Sequence, residues 1–347
     1  MWHHGTVRRL WAVGILTAAL VGLQVAAPAM ACGCGGIAVG PNSTVTVEGE
    51  AAIVSHADGI EQIDLSLALL AQTGDTGLVF PTPTPATVEN GSSEDFDKLL
   101  TNIAPRPVYV DDWWGLPIFP GSGSGDGGVG AAPEILSQVQ LGPIEATTLR
   151  ASDTAGLNSW LKSNEYTLSS ASKKLLDYYV KQKWSFVAVK ITSDKVLDGT
   201  LDPIRITFES EQFVYPMRLS AGAETTQHLR LYILDDERAE IAKADAKGGP
   251  LNAARTTVWA GPVDDPALAR RGEFLTVIDV RYDDPKLQVT SDIAIVSAGS
   301  TNQVIPVVEV VRPIVVLGVP VGTLIVGWTL IGLLVLFGAF VARTRTR

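Results

Sequence analysis

Histidine, cysteine and basic residues are all scarce in this chain. Its 347 residues hold four histidines and two cysteines, and 27 Lys and Arg stand against 37 Asp and Glu. His3 and His4 lie in the first few residues, so a Ser-His-Asp triad further on has only His56 or His228 to use. Neither carries a recognisable local motif. Cys32 and Cys34, with one residue between them and two scattered histidines elsewhere, do not make a zinc-ligand spacing. The Gly/Ser-rich stretch Gly121 to Gly130 lacks the Gly-Lys-Ser/Thr ending of a phosphate loop, and none of its serines has the flanking glycines of a nucleophile elbow. No cofactor and no metal are therefore expected, and Gly121 to Gly130 reads as a mobile insertion.

Charge is missing altogether from Pro313 to Ala342, and the chain then reaches Arg343-Thr344-Arg345-Thr346-Arg347. About 20 apolar residues at about 1.5 Å each cross a bilayer core. Residues 313–342 are thus expected to hold a transmembrane helix, from about Val319 to Val341. Arginines collect on the cytoplasmic side, which puts 343–347 inside as a basic tail and everything before Arg312 outside. At the other end, Arg8 and Arg9, the apolar stretch Leu10 to Val25 and Ala29-Met30-Ala31 follow the plan of a secretory signal peptide over residues 1–31. Lipid attachment at Cys32 would want Leu where Ala29 stands. Export favours a disulfide between Cys32 and Cys34 or to a partner, with two free thiols as the other reading.

Residues 32–312 then form the exported domain. All 37 acidic residues fall within it, together with 22 basic ones once the two arginines before it and the three after it are set aside, giving a charge of −15. A surface of that sign repels phosphate backbones, so no nucleic acid is expected as a partner. The bilayer is the first partner implied, and another envelope protein the second.

Period-two alternation is the main structural signal. Ile63, Leu65, Leu67 and Leu69 alternate with polar or small residues, which predicts a strand with one buried face. Ala52 to Ser55 reads as its hairpin partner across Ala57-Asp58-Gly59, and Leu78-Val79-Phe80 as a third strand of the same meander, ended by Pro81, Pro83 and Pro85. A comparable series recurs at Ile204 to Phe208, at Phe213, Tyr215, Met217 and Leu219, and at Leu229 to Ile233, either a related meander or simply more antiparallel hairpins. Helical spacing links Phe96, Leu99, Leu100 and Ile103, with Ser92 as cap. It also links Leu157, Trp160 and Leu161 after Asp153, and Leu175, Leu176, Tyr179 and Val180. Trp184 to Val189 is apolar on both faces and reads as a central strand. Strands toward both ends around a helical middle predict an α+β domain, mostly antiparallel sheet with a few packed helices, the 153–183 pair lying on one face.

Asp235-Asp236, Asp264-Asp265 and Asp283-Asp284 pair carboxylates, but solvated turns explain them better than acid–base chemistry. Trp113 and Trp114, behind Asp111 and Asp112 and just before the Gly/Ser stretch, are the best binding candidates, since tryptophan on an adaptable loop offers large apolar area.

Several stretches taken together carry a resemblance. They are Ala31-Cys32-Gly33-Cys34-Gly35, Val79-Phe80-Pro81-Thr82-Pro83, Asp95 to Leu99, Trp160-Leu161, Tyr179-Val180, Trp184 to Lys190, Leu201-Asp202-Pro203 and Val214-Tyr215-Pro216-Met217-Arg218-Leu219. On these the chain resembles the bacterial family named domain of unknown function 2330. The resemblance implies an exported, often anchored domain; it implies no activity and no site. Two classes of function stay open: a membrane-anchored extracytoplasmic binding or scaffold protein of the cell envelope, and an envelope hydrolase acting on cell-wall or peptide substrates.

Overall fold

The computed structural model describes residues 36–39, 45–71, 76–114, 144–150, 154–163, 165–166, 168, 170–191, 197–242 and 254–345. Strands β1 (Gly36–Val39), β2 (Val45–Ala57), β3 (Ile60–Ala71), β4 (Thr76–Thr82) and β5 (Thr87–Asn90) precede helix α1 (Ser93–Asn102). Then come β6 (Arg106–Asp112), β7 (Ile144–Arg150), α2 (Thr154–Ser163) and α3 (Ser170–Lys181). A long β region follows: β8 (Ser185–Ile191), β9 (Leu197–Thr200), β10 (Ile204–Glu209), β11 (Val214–Tyr215), β12 (Gln227–Asp235), β13 (Ala239–Ile241), β14 (Ala254–Pro262) and β15 (Phe274–Tyr282). The chain closes with α4 (Pro285–Gln288), β16 (Ile293–Ser297), β17 (Val307–Pro313), β18 (Val315–Val316), β19 (Val319–Pro320) and α5 (Val321–Arg345).

The largest sheet runs β14-β15-β12-β2-β3-β10-β5, with β9 also on β3. All its pairs are antiparallel except β2 with β12. A four-stranded antiparallel sheet β1-β4-β8-β7 and a three-stranded one, β11-β16-β13, lie across from it. Alternation decides which residue goes where. Ala52, Val54, Ile63, Leu65, Leu231 and Ile233 face Phe80, Val187, Tyr215 and Ile293 in one core between the sheets. Ile53, Tyr232, Leu234, Leu275 and Val277 point the other way and meet Phe96 and Leu99 of α1. Val79 and Phe186 turn outward from the four-stranded sheet onto Leu157 and Leu161 of α2 and Leu176 and Tyr179 of α3. The layers are therefore helix, sheet, sheet, helices, and each fully buried aliphatic side chain contributes about 1.5–3 kcal/mol.

This is the expected α+β, mostly antiparallel architecture, with the helical pair on one face and β8 central in its sheet. Ser92 Oγ accepts the N–H of Asp95 at 3.2 Å, the cap expected for α1. Asp153, the cap expected for α2, lies outside the described residues.

Three expectations are corrected. Leu78-Val79-Phe80 does not continue a meander with β2 and β3, because β4 pairs with β1 and β8 in the other sheet while β10 and β9 occupy the free edge of β3. Pro81 does not end β4; β1 covers only Thr76 to Val79, so the missing N–H of Pro81 falls on an open side. The run Phe213 to Leu219 is a strand only at Val214–Tyr215, since Pro216 stops the ladder and Arg218–Gly222 is a 3-10 turn. The second group of strands is accordingly no repeat of the first: β10, β11 and β12 pair with β3 and β5, with β16, and with β2 and β15.

The polar face of β3 is buried as well. Asp64 is fully enclosed, with Arg205 Nε 2.6 Å from one oxygen and Arg271 Nη1 2.5 Å from the other. Arg205 also reaches Asp95 of α1 at 3.2 Å. Asp64 thus ties β10 and the 269–271 turn to the sheet, and Arg205 carries the network on to Asp95 of the covering helix.

Candidate functional site

Trp113 and Trp114 are exposed, at 64% and 58%. They follow β6, which pairs in parallel with β17 as a two-stranded ribbon apart from the main sheets. The Trp114 N–H donates to Asp112 Oδ1 at 2.9 Å, and the Trp114 backbone lies against Gly322 at the start of α5 so closely that a Cβ there would fall 1.9 Å from its carbonyl oxygen. Cys32, Cys34 and Gly121 to Gly130 lie outside the described residues.

The two histidines do not meet. Leu229 stands opposite Glu50 and Leu234 opposite Ser55 in the β2–β12 register, so His56 and His228 sit at opposite ends of that pair. At about 3.3 Å per residue they are roughly 20 Å apart. His228 Nε2 accepts from Arg281 Nη1 at 3.3 Å, and burial followed by that positive charge lowers its pKa. His56 Nε2 donates to the Ser210 carbonyl at 2.9 Å while the ring stacks on Phe213.

A concave site of about 860 Å³ opens between the β2–β3 hairpin tip, the end of α3 and the segments after β10 and before β16. Asp58 and Gly59 both adopt positive φ at the hairpin tip, and the Gly59 carbonyl accepts from the Ser210 N–H at 2.9 Å. Thr84 Oγ1 holds the Glu209 carbonyl at 2.7 Å from the neighbouring wall. These bonds fix a rim carrying Asp58, Glu209 and Glu211, all exposed and without an ion pair among the described residues. Tyr178 and Trp184 supply an aromatic wall.

Asp292 organises the opposite side. Its Oδ1 accepts the Met217 N–H at 2.9 Å, the Arg218 N–H at 3.0 Å and the Tyr179 hydroxyl in a short contact. Burial, then the Asp292 charge, pushes the Tyr179 pKa well up, so this phenol stays a donor. The Arg218 guanidinium lies over the Tyr178 ring at 3.9 Å and gives Nη1 to the Thr290 carbonyl at 2.7 Å. Arg218 is thereby pre-set at the cleft wall, a rigid planar donor backed by an aromatic face. Behind the floor, Glu61 is buried; its Oε2 accepts the Val214 N–H at 3.3 Å, and Oε1 has no partner among the described residues. Burial raises its pKa well above the ordinary value, against the smaller lowering by Val214.

A second concavity of about 640 Å³ holds His56, Asp235, Asp236, Arg270, Arg271 and Glu273. Asp235 is raised by burial, which outweighs the Asp236 N–H that its Oδ1 accepts at 2.8 Å. Gly272 passes so close that a Cβ would lie 2.2 Å from the Asp235 nitrogen, a contact open only to glycine. Among the described residues no three His, Cys, Asp or Glu side chains converge as a metal site needs.

Tyr178, Arg218, Asp292 and Glu61 escape a reading by local pattern, because they come from separate elements joined only in the fold. Pro216 is the one usable signal: a proline inside an apparently alternating run marks Met217-Arg218 as non-strand.

The chain belongs to the family described as uncharacterized protein conserved in bacteria, the domain of unknown function 2330, whose model matches residues 28–296. No curated protein matches it. It is similar to the crystal structure of baculovirus P35, at 9% identity, over 77% of this chain and 97% of that one, with a TM-score of 0.32, a likeness too distant to argue from.

Proposed function

We propose that this family member is a membrane-anchored binding protein of the bacterial envelope that takes a cationic peptide segment of another envelope protein into the 860 Å³ cleft. Residues 32–312 stand outside and 343–347 inside. The observation that carries the reading is the cleft itself: three exposed carboxylates at its rim, an aromatic wall and a locked guanidinium. Its volume is within the range of ligand sites, about 300–1,000 Å³. The rim attracts Lys and Arg side chains, Tyr178 and Trp184 offer apolar area, and Arg218 is placed to donate to peptide carbonyls. The bacterial family and the candidate span Val321–Arg345, with arginines at its far end, support the envelope setting. Trp113 and Trp114 form a separate contact surface at the foot of the β6–β17 ribbon.

The test uses the full chain in detergent and a fluorescent lysine-rich peptide. Glu209→Lys with Glu211→Lys should weaken binding about tenfold or more, while reversing the exposed Glu89 and Asp97, neither of which lines the cleft, should change it little. Equal losses in the two variants would mean that net charge alone binds the peptide, and the cleft would be discarded. Turnover of an envelope peptide by the purified chain, abolished by His56→Gln, would establish the hydrolase reading in its place.

A further inference from the structure

The structure assigns a depth to Trp113 and Trp114: we propose that they sit in the headgroup layer of the outer leaflet, where with the Leu317 hairpin they seat the exported domain on the bilayer that α5 crosses. This rests on α5 being the membrane span, but not on the ligand of the cleft.

Three observations meet at this point. The first is depth. Counting about 20 residues back from Arg343, the first arginine of the tail, at about 1.5 Å each gives a hydrocarbon core that begins near Thr323. Gly322 therefore marks the outer boundary, and the Trp114 backbone is in direct contact with it. Tryptophan is the side chain enriched at that level, with an apolar ring and one N–H for the wet side.

The second is connection. The Ile314 N–H bonds to the Asp112 carbonyl at 3.0 Å and the Val321 N–H to the Ile314 carbonyl at 2.9 Å. The foot of β6, the chain after β17 and the first turn of α5 are thus one hydrogen-bonded unit, and the tryptophans cannot lie far from the helix end. The ion pair of Arg312 with Asp111, at 2.8 Å, stands just above them on the ribbon, where headgroups and water can solvate it.

The third is the β18–β19 hairpin. Its turn residue Leu317 is 99% exposed and has φ of +53°. Left-handed backbone disfavours leucine, and asparagine or glycine would serve a solvated turn better. An apolar side chain at such a tip, with Val315 and Val316 exposed beside it, gains contact when it meets acyl chains.

The experiment places the full chain in phosphatidylcholine–phosphatidylglycerol vesicles containing lipid brominated either near the headgroup or near the acyl terminus. Trp328→Phe removes the tryptophan inside α5, and adding Trp113→Phe and Trp114→Phe yields the emission of the pair by difference. That emission should be quenched about twofold more by the shallow bromines than by the deep ones, and only weakly by aqueous iodide. Leu317→Asp should reduce the shallow quenching. Strong iodide quenching without bromine quenching overturns the proposal, as does protection from both, which is the result expected if a second protein covers the pair. Extraction of the chain from the vesicles by alkaline carbonate would instead remove the span reading, and this proposal with it.

Discussion

Replacing Glu61 with Gln should change how stability depends on pH. The carboxyl lies in the core behind the cleft and has, among the described residues, one backbone donor, the Val214 N–H at 3.3 Å, and no partner for Oε1. Burial therefore raises its pKa well above 4.5, and the single N–H offsets only part of that. Below the ordinary value the folded and unfolded chains both hold the proton, and stability is complete. Above it the unfolded chain releases the proton while the folded chain keeps it, so stability falls as pH rises until the folded pKa is reached. Within that window one proton costs about 1.4 kcal/mol of stability per pH unit. Gln has nearly the same shape, accepts the same N–H and cannot ionise. The variant should match the parent to within about 1 kcal/mol near pH 4.5 and gain on it by about 1.4 kcal/mol for each pH unit above. Urea unfolding of the full chain in detergent, followed by tryptophan emission across pH 4 to 8, measures the difference between the two curves. Parallel curves would refute the reasoning, because they would mean that Glu61 ionises in the folded chain as readily as in the unfolded one.

Asp64→Ala should destabilise the chain by about 3–5 kcal/mol in the same assay, since it leaves Arg205 and Arg271 facing a fully enclosed site without their counter-charge. A loss below about 1 kcal/mol would show that the two guanidinium groups find water or Asp95 instead. For topology, protease added to intact spheroplasts should degrade residues 32–312 and spare a tag placed after Arg347; a destroyed tag would reverse the orientation.

Local pattern alone determined a good deal. The uncharged run ending in arginines announces α5, because length and apolarity are properties of the segment itself and need no partner. Its onset at Val321 was expected two residues earlier, and the helix continues to Arg345 rather than stopping near Val341. β3, β8, β10, β12, α1 and α3 are legible for a similar reason: periods of two and 3.6 residues are set by backbone geometry, and Ser92 caps a helix within three residues of itself. What the pattern does not contain is pairing. Alternation gives each strand a buried face but not a neighbour, so β4 was expected beside β3 and belongs to the other sheet, and the parallel join of β2 to β12 carries no mark in either segment. Burial of a polar face is likewise a tertiary fact. Asp64 reads as the solvent side of β3, and α1, Arg205 and Arg271, the first beginning 29 residues away and the last 207, enclose it. Asp292, Arg218 and Tyr178 meet for the same reason, through contacts between elements distant in the chain. Trp113 and Trp114 show both halves: their composition makes them contact candidates, and only the packing of Trp114 on Gly322 brings them to the start of α5.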